Sequence, residues 1–165
     1  MKENIIEQLK ESARIKLLVA EQLPDEIARA AKIIVNCFRH GGKVLLAGNG
    51  GSAADAQHIA GEFVGRFKKE RRALPALALT TNTSILTAIG NDYSYDMVFA
   101  RKVEALANHA HDILIVISTS GNSANILRAC DQARKQGISI IGLSGRGGGK
   151  LKDAADLCIT VPSDD

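Results

Sequence analysis

Tryptophan is absent, and aromatic residues make up only 4% of the chain. Whatever core forms must be aliphatic and rich in alanine. Long apolar runs are missing too. None approaches the roughly 20 residues that a membrane-crossing helix needs, so no membrane partner is expected. The opening Met1-Lys2-Glu3-Asn4 has neither the basic start nor the unbroken apolar block of a secretory leader, because Glu7, Lys10 and Glu11 interrupt it at once. The expected location is cytoplasmic. Charge of one sign is barely in excess, with 21 Lys and Arg against 18 Asp and Glu, a net of +3. Such a balance requires no nucleic-acid partner, and none is expected, but it tolerates an anionic metabolite. Cysteine is scarce as well. Cys37, Cys130 and Cys158 are odd in number, far apart and free of the C-x-x-C spacing of zinc or dithiol chemistry. Each lies in an apolar stretch and reads as a small core residue.

What is present is ordinary globular composition: 165 residues, 45% apolar and 24% charged. That is one domain, residues 1–165, long enough to bury roughly 70% of the surface its unfolded form exposes. Residues 3 to about 22 predict one long helix, with Ile6, Leu9, Ala13, Leu17 and Ala20 along one stripe. Pro24 opens a second helix, with Ile27, Ala31, Ile34 and Phe38 as its buried face and Gly41-Gly42 as its stop. A single sheet needs no second helical layer at its N-terminus, so residues 1–42 are assigned to subunit packing.

From residue 43 the pattern changes to short apolar runs, Val44 to Ala47, Leu77 to Leu79, Ile113 to Ile117, Ile138 to Leu143 and Leu157 to Val161. Runs this continuous suit strands covered on both faces. Segments of helical spacing lie between them: Ala53 to Phe67, Ile85 to Ile89, Asp96 to Ala107, Ala124 to Gln136, and Lys150 to Ala154. Strand and helix alternate, which predicts a doubly wound α/β domain with a five-stranded parallel sheet. Ligands of such sheets bind beyond the carboxyl ends of the strands. The dense charge run from Arg66 to Arg72 reads as a solvated loop.

Polar chemistry collects at three such strand ends. Gly48-Asn49-Gly50-Gly51-Ser52-Ala53 joins a strand to a helix, where glycine permits tight turning and the helix start offers unpaired N–H groups. It satisfies the dinucleotide pattern G-x-G-x-x-A, but the next strand runs into Thr80-Thr81-Asn82 without the acidic residue that would hold a ribose. The second place is Ser118-Thr119-Ser120-Gly121-Asn122-Ser123. Helix capping explains one hydroxyl; a cluster of them at a helix start suits a single phosphate on a small molecule. The third is His58, Glu62 and Arg66, which recur at i, i+4 and i+8 on one helix face. They read either as an exposed ion-pair row or as a pair, His58 and Glu62, able to reach one metal, with Glu62 also placed to act as a general base. Asn91-Asp92 adds polar groups, or simply a turn.

The strings Ala47-Gly48-Asn49-Gly50-Gly51-Ser52-Ala53-Ala54-Asp55-Ala56-Gln57-His58 and Ser118-Thr119-Ser120-Gly121-Asn122-Ser123 closely resemble the sugar isomerase (SIS) domain family, and the similarity runs from the N-terminal helices to the last residue. The resemblance implies a flavodoxin-like sheet and, within the family, enzymes that interconvert sedoheptulose 7-phosphate and D-glycero-D-manno-heptose 7-phosphate through an enediol, toward lipopolysaccharide heptose. It implies homotetramers with active sites between subunits, a sugar-phosphate substrate and one zinc ion per subunit. By position, Ser52, Ser118, Thr119, Ser120 and Ser123 would hold the phosphate, beside Gly50 and Gly51. Asn49, Asn91 and Asp92 would hold sugar hydroxyls, His58 and Glu62 would be metal ligands, Glu62 also the catalytic acid/base, and Arg66 a polar group steadying a carboxylate or oxyanion. The family continues into a helix carrying a Gln and a His that complete the zinc shell and supply the second acid/base. That helix is absent from this sequence, which stops at Val161-Pro162-Ser163-Asp164-Asp165, and His40, His109 and His111 are expected on the surface. With His58 and Glu62 alone a zinc site of structural strength is not expected. The alternative is a non-catalytic SIS scaffold binding the bacterial replication initiator, which has no need of Glu62. A regulatory module would carry a DNA-binding segment before residue 43, and none of sufficient length is there.

Overall fold

The computed structural model describes residues 1–164; Asp165 lies outside them. Two helices come first, α1 (Lys2–Gln22) and α2 (Pro24–Arg39), with Pro24 at the start of α2, where its missing N–H costs nothing. The α/β part follows as β1 (Val44–Gly48), α3 (Gly51–Val64), β2 (Ala76–Ala78), α4 (Thr83–Asp92), a 3₁₀ turn (Tyr95–Met97), α5 (Val98–Leu106), β3 (Ile113–Ser118), α6 (Ala124–Lys135), β4 (Ser139–Ser144), a second 3₁₀ turn (Arg146–Gly148), α7 (Leu151–Ala154) and β5 (Leu157–Thr160). All pairings are parallel and the strand order is β2-β1-β3-β4-β5. The doubly wound expectation holds.

Alternate residues of each strand supply two separate aliphatic cores. Leu45, Leu114, Val116 and Ile140 pack with Phe99 and Val103 of α5 and Ile126 and Ala129 of α6. Val44, Leu46, Ile113 and Ile115 pack on the other face with Cys37 and Phe38 of α2 and Ala56 and Ala60 of α3. Cys37 and Cys130 are buried, and burial pushes their thiols up to about 11 and about 12.

Several boundaries differ from the sequence reading. Ile27 and Ala31 are exposed, because the stripe of α2 that meets the sheet runs through Ala30, Cys37 and Phe38 and lies to one side of them. β2 stops at Ala78, yet Leu79 is buried and its N–H donates to Leu46 O at 2.7 Å. Lys102, also buried, donates its ammonium to Leu79 O at 2.7 Å and Thr81 O at 2.5 Å, tying α5 to the end of β2. α1 buries none of its residues, and Ile6, Leu9 and Leu17 stand bare on it.

At the end of the sheet away from the serine loop, Asp112 joins β1 to β3. Its buried carboxylate accepts from Lys43 N at 2.9 Å, Lys43 Nζ at 2.6 Å, and Asn108 N and His109 N at 3.0 Å each. Burial alone would push the carboxyl up, but these bonds outweigh it and hold the group below the usual range. Asp112→Ala is expected to cost about 2–4 kcal/mol at neutral pH, because it strands a partly buried ammonium and several N–H groups. The depressed carboxyl contributes fully above the ordinary Asp value of about 4 and loses its contribution as pH falls through the lower folded value. Urea unfolding should therefore show the gap between wild type and variant closing on acidification; a gap constant down to strong acid contradicts this.

Candidate active site

Strand order reverses between β1 and β3, and the loops that follow these two strands face each other across that point, where doubly wound sheets bind ligands. The first loop turns at Gly50, at φ 55°, and Gly48 has no room for a Cβ, which would collide with the Ser52 carbonyl. The second loop turns at Gly121, at φ 66°, where a Cβ would run into the carbonyl of Gly148. The serine loop is thus nested against the glycine-rich turn Gly145–Gly149, and Leu151 N donates to Gly121 O at 2.9 Å.

Between the loops lies a cleft of about 230 Å³ lined by Asn49, Ser52, Ser118, Thr119, Ser120 and Ser123, with Arg146 at its rim. Capping does not account for its hydroxyls: Ser123 precedes α6 without a side-chain cap bond, and its Oγ lies 3.2 Å from Ser118 Oγ instead. Ser144 Oγ donates to Ser118 O at 2.8 Å. Asn122 works inward, donating to Ser120 O at 2.8 Å and accepting from Lys150 N at 3.2 Å, so it braces the loop. The hydroxyls of Ser52 and Thr119 make no hydrogen bond among the described residues, which leaves both able to serve an anion.

Asn49 lies in the cleft, but its amide is occupied. It exchanges two 2.9 Å hydrogen bonds with Asn125, which is 2% exposed, and accepts from Tyr95 OH at 3.2 Å. Asn125, in the first turn of α6, couples the β1 loop to the β3 loop. Sequence reasoning missed it and Arg146, because neither stands out by spacing and each acquires its place only when strands distant in sequence become neighbours.

The polar stripe of α3 is shorter than expected. Gly65 ends the helix, so Arg66 lies beyond it and pairs with Glu70 at 3.3 Å instead of sharing a face with Glu62. Arg71 is not merely solvated: its guanidinium gathers Glu62 O at 2.7 Å, Phe63 O at 2.9 Å and Gly65 O at 3.3 Å, closing the helix end. His58 Nε2 stands 3.6 Å from Glu62 Oε1, with the histidine 74% and the glutamate 33% exposed. Glu62 is ten residues along α3 from Ser52. That is about 15 Å of rise and a facing direction turned by about 80°, so in one chain the carboxylate does not line the hydroxyl cleft. Asn91 and Asp92 end α4 rather than forming a turn; Asn91 Nδ2 donates to Asp92 Oδ1 at 2.9 Å, and neither lines the cleft. For a metal, His58 and Glu62 supply two donors. Among the described residues no group of three or more His, Cys, Asp or Glu gathers, so these residues do not complete a zinc shell of three or four ligands.

The SIS domain profile matches residues 8–145. The chain belongs to the SIS domain family. This SIS domain is 54% identical, over 99% of its own length and 87% of the relative's, to the phosphoheptose isomerase of Nitratiruptor sp.. It is 58% identical to that of Rhodospirillum rubrum over 83% of this chain and 72% of the relative. Among solved structures it is similar to a phosphoheptose isomerase from Neisseria gonorrhoeae, with TM-score 0.93, 43% identity, and coverage of 99% of this chain and 87% of that one. The sugar isomerase domain of an RpiR transcription factor from Sphaerobacter thermophilus, at 16% identity and TM-score 0.65 over 99% of this chain and 77% of that one, shares the fold alone.

Proposed function

We propose that this SIS domain is an aldose–ketose isomerase that interconverts sedoheptulose 7-phosphate and D-glycero-D-manno-heptose 7-phosphate in the cytoplasm, supplying heptose for lipopolysaccharide. The observation that carries the reading is the hydroxyl cleft at the β1–β3 reversal, two of whose hydroxyls are unspent within the protein, in a chain similar over nearly its whole length to phosphoheptose isomerases. The ester's phosphate sits there, held by Ser52, Thr119, Ser120 and Ser123 and by the N-terminus of α6. The sugar then extends toward a carboxylate. Glu62 takes a proton from C1 of the ketose, the C–H electron pair becomes the C1–C2 double bond of the enediol, and the carbonyl oxygen gains a proton. Return of the proton held by Glu62 to C2 takes up the double-bond pair, while the C1 hydroxyl gives up its proton and becomes the aldehyde carbonyl, which completes the aldose with no net gain or loss of protons.

The separation of Glu62 from the cleft in one chain supports a site completed between subunits of a homotetramer, and the bare stripe of α1 offers the packing surface. Light scattering at micromolar concentration is expected to give about four times the 17.5 kDa chain mass. Leu9→Glu with Leu17→Glu should give smaller particles, and a monomeric wild type contradicts the assembly. Incubation with sedoheptulose 7-phosphate, followed by detection of the aldose, tests the activity itself. Binding of the ester without any aldose, and without exchange of its C1 hydrogen with solvent, overturns it.

A further inference from the structure

The hydroxyl cleft is neutral everywhere but at one edge: among the described residues lining it, Arg146 alone is charged. This residue stands in a conformation that side chains avoid, φ 47°, beside Gly145 and a run of three glycines, Gly147 to Gly149. Several bonds hold it there. Arg146 N donates to Ser163 O at 3.0 Å, Gly145 N donates to Thr119 O at 3.1 Å, and Arg146 Nε donates to Asp164 O at 2.8 Å. The two Nη groups make no hydrogen bond to the described residues. A guanidinium fixed at one nitrogen, with its fork unspent, beside hydroxyls that lack partners, is built to grip two oxygens of one anion.

We propose that Arg146 is the charge-bearing phosphate ligand of this site and sets its preference for the dianionic over the monoanionic ester. The proposal rests on the cleft being the phosphate site, as read above. Hydroxyls and amides accept either ionisation state; a guanidinium gains most from the second negative charge.

The test is calorimetric titration with inorganic phosphate near pH 6, where the monoanion predominates, and near pH 8, where the dianion does. Arg146→Met is expected to weaken binding by about 10- to 100-fold at the higher pH, as loss of charge-assisted bonds should, and by much less at the lower pH. Arg146→Lys should restore part of the affinity and of the pH dependence. Arg146→Gly, which the backbone accepts, should bind as poorly as the Met variant while keeping the wild-type melting temperature to within about 2–4 °C, so weak binding cannot be laid to misfolding. Thr119→Val with Ser123→Ala is the comparison arm. If that pair loses phosphate while Arg146→Met and Arg146→Gly bind it as wild type does at both pH values, the role of Arg146 is refuted and the phosphate cleft stands. If the pair binds phosphate normally, the cleft is not the phosphate site, and both readings fall.

Discussion

Glu62→Gln is expected to lower kcat for isomerisation by about 10²- to 10⁴-fold, the usual contribution of a positioned proton carrier, with phosphate affinity changed less than about threefold, no more than the net worth of one weak hydrogen bond. The substitution keeps the shape and size of the side chain and removes its negative charge together with the ability to take up and return a proton. Its structural cost should be small. The side chain is partly exposed and meets His58 across a loose 3.6 Å pair, while the contact from Arg71 goes to the Glu62 backbone carbonyl, which the change does not touch. Stability within about 0.5 kcal/mol of wild type is the expectation for such a surface position. Exchange of the C1 hydrogen of the ketose with solvent should fall together with product formation, because both require the same carbon acid to be opened. Turnover at the wild-type rate removes Glu62 as the carrier. Loss of exchange and of phosphate affinity in equal measure would mean that the variant disturbs the site's shape rather than its chemistry.

Gly121→Ala should be the most damaging single methyl around the hydroxyl cleft. The added Cβ meets the Gly148 carbonyl, and φ 66° is unfavourable for any side chain. Either the serine loop lifts or the glycine turn retreats, and Leu151 N, bonded to Gly121 O, is drawn into the change. A cost of about 2–5 kcal/mol follows from left-handed strain plus overpacking, and inorganic phosphate binding should be lost with it. Gly147→Ala separates the two causes. Its φ is 72°, but a Cβ there meets nothing within 4 Å, so only the conformational part, about 1–2 kcal/mol, should remain. Denaturant unfolding of the two variants gives the comparison directly. Equal losses would show that crowding between the loops contributes nothing.

The strands and helices were legible because their causes are local. Continuous Val, Ile and Leu runs make a two-sided sheet wherever they occur, and the serine and glycine loops announce themselves by composition. Where reading along the chain slipped, the cause was a contact from elsewhere. Gly65 breaks α3 with help from Arg71, which leaves Arg66 off the helix face; β2 is only three residues long, and Leu79 beyond it is held by Leu46 O on one side and by Lys102 on the other. The buried face of α2 was misjudged because periodicity alone does not say which of two adjacent stripes of a helix meets the sheet.

By itself, then, the order of residues determined the alternating α/β layers, the position of the hydroxyl cluster after β3 and the i, i+4 pairing of His58 with Glu62, since each depends on neighbours within a few residues. Only the tertiary structure decided that Asn49 is spent on Asn125 and Tyr95, that Arg146 stands at the rim of the hydroxyl cleft, and that Glu62 lies well along α3 from that cleft. Those outcomes follow from which strands become neighbours and how loops nest, and such long-range geometry leaves no periodic trace along a chain.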